Sequence, residues 1–105
     1  MDVPILLLAW KRPIHTKRVI DSIRKISPKK IYISCDGPIK ENQENKKLVE
    51  SVRQIILEKI DWKCKIFTNF SVYNKGCKIA VAEGISWFFA HEEEGIIIED
   101  DCLPS

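Results

Sequence analysis

Three consecutive carboxylates, Glu99, Asp100 and Asp101, follow the apolar run Gly95-Ile96-Ile97-Ile98 close to Ser105. Crowded carboxylates repel one another unless a cation or hydrogen-bond donors neutralise them, so the cluster points to a hard divalent cation such as magnesium or manganese. On an extended backbone Glu99 and Asp101 share a face while Asp100 points to the other. One carboxylate can then hold the cation while another accepts hydrogen bonds from a ligand hydroxyl. A solvated acidic turn after a strand has the same composition, and spacing alone leaves both readings open.

Two further groups stand where strands should end. Arg12, in Trp10-Lys11-Arg12-Pro13, offers a guanidinium that can fork onto a base, a phosphate or a carboxylate; a surface arginine in a loop is the plainer alternative. Asp36, in Ser34-Cys35-Asp36-Gly37-Pro38, suits base or ribose recognition, and equally suits an Asx turn. The segment Asn74-Lys75-Gly76-Cys77-Lys78 leads into a helix whose N-terminus would favour phosphate, with Gly76 allowing close backbone approach. It has neither a Walker pattern nor G-x-G-x-x-G, so a P-loop or a dinucleotide fingerprint is not supported. Cys35, Cys64, Cys77 and Cys102 include no C-x-x-C pair; their even number leaves disulfides open, and in a cytosolic protein they read first as buried free thiols. Thiolate at Cys102 would suit a carboxylate site poorly. His15 and His91 read as surface or capping residues, and Trp87-Phe88-Phe89 as core.

The elements that must position these groups follow from periodicity. Val3 to Trp10 is apolar at nearly every position, as in a parallel strand covered on both faces. A helix is expected from about His15 to Ile26, with Val19, Ile20, Ile23 and Ile26 on one stripe, stopped at Ser27-Pro28. Ile31 to Cys35 reads as the second strand. Asn42 to Ile60 reads as the second helix, with Leu48, Val49, Val52, Ile55, Ile56 and Ile60 facing the core and Glu41 and Glu44 in its first turns. Lys63 to Phe67 reads as a short third strand. Cys77 to His91 reads as a third helix, apolar on several sides and so deeply packed, with Gly84 marking a close approach. Gly95 to Glu99 is the fourth strand.

The order βαβαβαβ predicts right-handed crossovers and one parallel, Rossmann-like sheet with helices on both faces, in strand order 3-2-1-4. Ligands of such sheets bind beyond the carboxyl ends of the strands, where the order switches direction. Arg12, Asp36 and Glu99 to Asp101 all belong to that edge. The 105 residues suffice for one domain, and a net charge of +2 with interspersed acids and bases gives no case for nucleic acid or a membrane surface. No apolar stretch is long enough to span a bilayer. Met1-Asp2-Val3-Pro4 leads straight into a strand without a signal peptide, so a cytoplasmic protein is expected.

Strand ends written "AWKRP" and "SCDGP", with "NKGCKIAVAEGISWFF" followed by "GIIIEDD", resemble the nucleotide-diphospho-sugar half of GT-A fold glycosyltransferases. The likeness is to the N-acetylglucosaminyltransferase I type and related bacterial transferase-like proteins, and it runs through essentially the whole chain. In that family the D-x-D motif is written E-D-D, and an N-x-G loop leads into the helix before it. The resemblance implies that Asp101 ligates a manganese (or magnesium) ion bridging the donor diphosphate. It implies that Asp100 contacts the nucleotide, at its ribose, that Glu99 helps to hold that edge, and that Arg12 and Asp36 bind the nucleoside, with Asp36 near the base. The implied chemistry is transfer of a sugar from a UDP-sugar to an acceptor hydroxyl. The family's acceptor half and catalytic base follow the acidic strand, so residues 1–105 are expected to be the N-terminal, nucleotide-sugar-binding part of a longer domain. Two other classes stay open: a non-catalytic α/β interaction or nucleotide-binding module, and a receiver-like signalling domain. In a receiver the acidic pair comes after the first strand, not the fourth.

Overall fold

The computed structural model describes residues 2–100. Four strands alternate with three helices: β1 (Ile5–Ala9), α1 (Pro13–Ile26), β2 (Lys30–Cys35), α2 (Gln43–Lys59), β3 (Lys65–Phe70), α3 (Cys77–His91) and β4 (Ile96–Glu99). The strands form one parallel sheet in the order β3-β2-β1-β4. This is the expected architecture.

β1 and β2 are central and almost entirely buried, which is why they read as continuous apolar runs. Alternate residues serve opposite faces. Ile5, Leu7, Ile31 and Ile33 meet Ile20 and Ile23 of α1 and Val49, Val52 and Ile56 of α2. Leu6, Leu8 and Tyr32 meet Phe88 of α3 on the other side. β1 is therefore the hinge of the topology: its neighbours β2 and β4 are reached by helices on opposite faces.

Local chemistry sets the element ends. Pro13 opens α1, two residues earlier than the apolar stripe implies, because proline tolerates the first helical position, where its missing N–H costs nothing. Ser27 closes it in a left-handed conformation, its N–H donating to Ile23 O at 3.0 Å. Asn42 caps α2 through its side chain, which accepts from Asn45 N at 2.9 Å. Glu41 lies before that cap with a positive φ of 63°, so only Glu44 sits in the first turn.

Three packing expectations are corrected. Ile26 and Leu48 are exposed, because the stripes of α1 and α2 turn away from the sheet at those positions and Thr16 and Asn45 are buried instead. β3 runs to Phe70 rather than Phe67; Thr68 and Asn69 pair with Ile33 and Ser34, and their polarity is tolerated because β3 is an exposed edge strand. α3 has the expected bounds but is not deeply packed. Only Gly84 and Phe88 are buried, while Phe89 and Ile79 are exposed, since α3 meets the sheet with one side alone. Gly84 does mark a close approach: a Cβ there would meet Leu8 Cδ2 at 2.8 Å and Ser34 Oγ at 3.0 Å.

Candidate functional site at the carboxyl edge of the sheet

The exit of β1 organises this edge. The N–H of Asp36 donates to Ala9 O at 3.3 Å, and the N–H of Asp100 donates to Leu8 O at 3.1 Å. Two of the expected site residues thus leave the sheet on either side of one strand end. Glu99 is the last paired residue of β4, opposite Leu8. Trp10 ties the β1 exit to the next loop through its indole N–H, which donates to Gly37 O at 3.0 Å, and Lys11 Nζ lies 4.6 Å from the Trp10 ring centroid.

Asp36 is 4% exposed, and its carboxylate is filled by donors from the chain itself. Oδ1 accepts from the N–H groups of Gly37 at 2.8 Å and Lys75 at 2.9 Å; Oδ2 accepts from Gly76 N at 3.1 Å and Asn74 Nδ2 at 3.2 Å. The loop leading into α3 is therefore fastened to the end of β2. Its backbone turns at Gly76, whose φ of 88° only glycine adopts without strain, and a Cβ there would meet nothing within 4 Å. The space over the start of α3 is open. Gly37 is constrained differently, because a Cβ would lie 2.5 Å from the Tyr73 backbone.

Arg53 of α2 supports the same edge from below. Its Nη2 donates to Ser71 O at 2.6 Å and Asp36 O at 3.2 Å, and its guanidinium carbon lies 5.0 Å from the Phe70 ring centroid. The Cys35 thiol beside it is pushed up to about 11 by burial, partly offset by Arg53, so it stays protonated at neutral pH and is no nucleophile. A small cleft between these groups is lined by Ser34, Asp36, Asn69, Ser71, Lys75 and Glu83.

Asp100 is 2% exposed and reaches α1. Its Oδ2 lies 2.6 Å from Thr16 Oγ1, and Thr16 Oγ1 is also 2.7 Å from Arg12 O. One hydroxyl proton serves one of these acceptors at a time. The contact brings Asp100 to the first turn of α1, next to Arg12, which is exposed at the N-cap. Asp101 and Cys102 lie outside the described residues. Among the described residues no group of three or more His, Cys, Asp and Glu is placed to hold a metal ion.

Arg12, Asp36, Glu99 and Asp100 all fall on one edge; Asp100 joins Arg12 through Thr16, Asp36 joins Asn74 to Gly76, and Glu99 stands in register with Leu8. Sequence reasoning missed Thr16 and Arg53. Thr16 stands in helical register with Ile20 and Ile23, so a polar residue on a core stripe was its signal. Arg53 adjoins the buried Val52 and gave no comparable sign. His15 and His91 are both exposed, and Phe88 alone of the aromatic trio is fully buried. No helix among the described residues is long and apolar enough to cross a membrane. No protein-family model, curated protein or solved structure matches the chain.

Proposed function

We propose that the chain is the donor-binding half of a metal-dependent glycosyltransferase of the GT-A type, binding a nucleotide-sugar, in the first instance a UDP-sugar. The observation that carries the reading is the gathering of acidic and basic residues around the β1 exit: the Asp36 N–H bonded to Ala9 O on one side, the Asp100 N–H bonded to Leu8 O on the other, with Arg12 on the turn that Asp100 reaches through Thr16. This is the switch point of a parallel sheet, where nucleotide ligands of such folds bind.

In this reading Arg12 engages the phosphate or nucleoside, and Asp100 holds the first turn of α1 beside the ribose. Asp36 acts near the base through the loop that it fastens. Gly76 leaves space beside the start of α3, while its own N–H and that of Lys75 are already held by Asp36. The described residues form no metal cage by themselves. Magnesium and manganese sites of the substrate-completed kind need only one or two carboxylates plus phosphate oxygens, and Glu99 with Asp101 supplies that type of donor. Such an ion stabilises charge on a departing diphosphate. A cytoplasmic setting goes with this reading, supported by free thiols at Cys35, Cys64 and Cys77.

A second reading, a non-catalytic interaction module, draws on the same carboxylates. Asp36 spends both oxygens within the chain, and an exposed apolar helix face suits a partner better than a substrate. Calorimetry separates the two. UDP is expected to bind the folded chain only with manganese present, and Asp101→Ala is expected to abolish that binding. A folded sample that ignores UDP with and without manganese selects the second reading.

A further inference from the structure

α3 carries a second apolar stripe on the side away from the sheet. Ile79, Ala82, Ser86, Phe89 and Ala90 recur at helical spacing, and all five are exposed, Ile79 at 55% and Phe89 at 43%. The sheet is met by the opposite side, through Gly84 and Phe88. A helix that is apolar all round belongs between two layers, yet the described residues supply only one.

We propose that this outer face binds the same face of a second copy of the chain, with the two α3 helices antiparallel. The face is complementary to itself in that arrangement. A two-fold axis at the level of Gly84 sets Ile79 against the second copy's Phe89 and Ala82 against its Ser86. Large side chains then close the two ends, and small ones in the middle let the axes approach to about 8 Å, the near limit for packed helices. The charges match the same way. Lys78 stands at the start of α3, Glu93 and Glu94 just beyond its end, and all three are exposed, while Lys75 nearby is paired with Glu83. Antiparallel packing brings each basic end to an acidic end, and opposes the helix dipoles favourably. A parallel pair would set like charges together. Another protein would need to reproduce this pattern of size and charge; a second copy carries it already.

The interface is small. A 15-residue helix is about 22 Å long, so its face falls short of the roughly 800 Å² per partner of a standard interface, and a weak, reversible dimer is expected.

Sedimentation equilibrium over micromolar to millimolar concentrations tests the proposal directly. A monomer–dimer equilibrium is expected, with its dissociation constant raised at least about tenfold by Phe89→Glu. Because Phe89 also touches Phe88, with ring centroids 5.0 Å apart, Ala82→Arg provides a second variant away from the core and should weaken the dimer as much, with an unchanged melting temperature. Lys78→Glu is expected to weaken it, and Lys78→Glu combined with Glu93→Lys to restore it. A chain monomeric throughout the series overturns the proposal. So does a dimer indifferent to both Phe89→Glu and Ala82→Arg, or a monomeric chain whose α3 face captures a different protein.

Discussion

The Asp36 carboxylate accepts four hydrogen bonds, from Gly37 and from the three residues Asn74 to Gly76. Removing it leaves the buried N–H of Gly37 and the part-buried N–H groups of Lys75 and Gly76 without their acceptor, and an unmet buried donor costs more than the bond contributed. Asp36→Ala is therefore expected to lower stability by about 2–3 kcal/mol in urea titrations. Thr16→Val keeps the shape of the core stripe but takes the Thr16 hydroxyl from beside Asp100 Oδ2, and about 1–3 kcal/mol should be lost, with Thr16→Ser recovering most of it. Alkaline pH reports on a different pair. Tyr32 is pushed up to about 12, first by burial and then by donating to Glu92 Oε2 at 2.6 Å, while that bond holds Glu92 below the ordinary carboxylate value. Cys35 is pushed up to about 11 by burial. A folded-state value above the unfolded one means that the folded chain binds more protons, so stability is complete below the unfolded value and falls as pH rises. The expected decline begins near 9.0, the ordinary thiol value, and steepens above 10.0, the ordinary phenol value. Thermal melts across that range should lose the upper part of the slope in Tyr32→Phe.

At the scale of elements, close approaches between helices and strands are the vulnerable points. A Cβ on Gly95 would meet the Phe88 ring at 2.2 Å and Pro4 O at 2.9 Å, so Gly95→Ala must move the largest residue under α3. A loss of about 1–3 kcal/mol is expected by thermal or urea melts. Gly76→Ala meets no neighbour, yet forces a φ of 88° on a side chain and should cost about 1–3 kcal/mol through strain alone. The elements were legible in the sequence wherever burial was one-sided or complete. Ile5 to Ala9 announced a central strand, and Cys77 to His91 was bounded by its glycine-led loop. Legibility failed where tertiary position overrode composition. Thr68 and Asn69 extend β3 because β2 offers them partners; threonine suits a strand, but asparagine beside it reads as a turn. α3 read as deeply packed because composition counts apolar residues without saying how many layers surround them. Within the site, Arg12, Asp36 and Glu99 to Asp100 could be assigned to one edge from topology. The link through Thr16 and the clamp by Arg53 depend on side chains meeting across long sequence separations, 84 residues in the first case.

The whole molecule is well filled at its centre and thin at the edges of its sheet. On the face carrying α1 and α2, Ile5, Leu7, Ile20, Ile31, Ile33, Val52 and Ile56 are fully buried, while Ile66 of β3 and Ile96 of β4 are each 41% exposed. The face carrying α3 leaves Ile97 of β4 and Phe67 of β3 each 37% exposed on either side of one helix. The carboxyl edge of the sheet stands between the two and gathers the groups that the proposed function uses. The most direct test of that claim is residue-resolved: amide chemical shifts of the isotopically labelled chain on addition of UDP with magnesium, a diamagnetic stand-in for manganese. The expected result is a single cluster of shifted amides at Arg12, Asp36, Lys75 to Cys77 and Glu99 to Asp101, absent when the cation is chelated. Shifts gathered at the opposite edge, around Lys29, Lys63 and Lys65, or no shifts at saturating UDP, would contradict it.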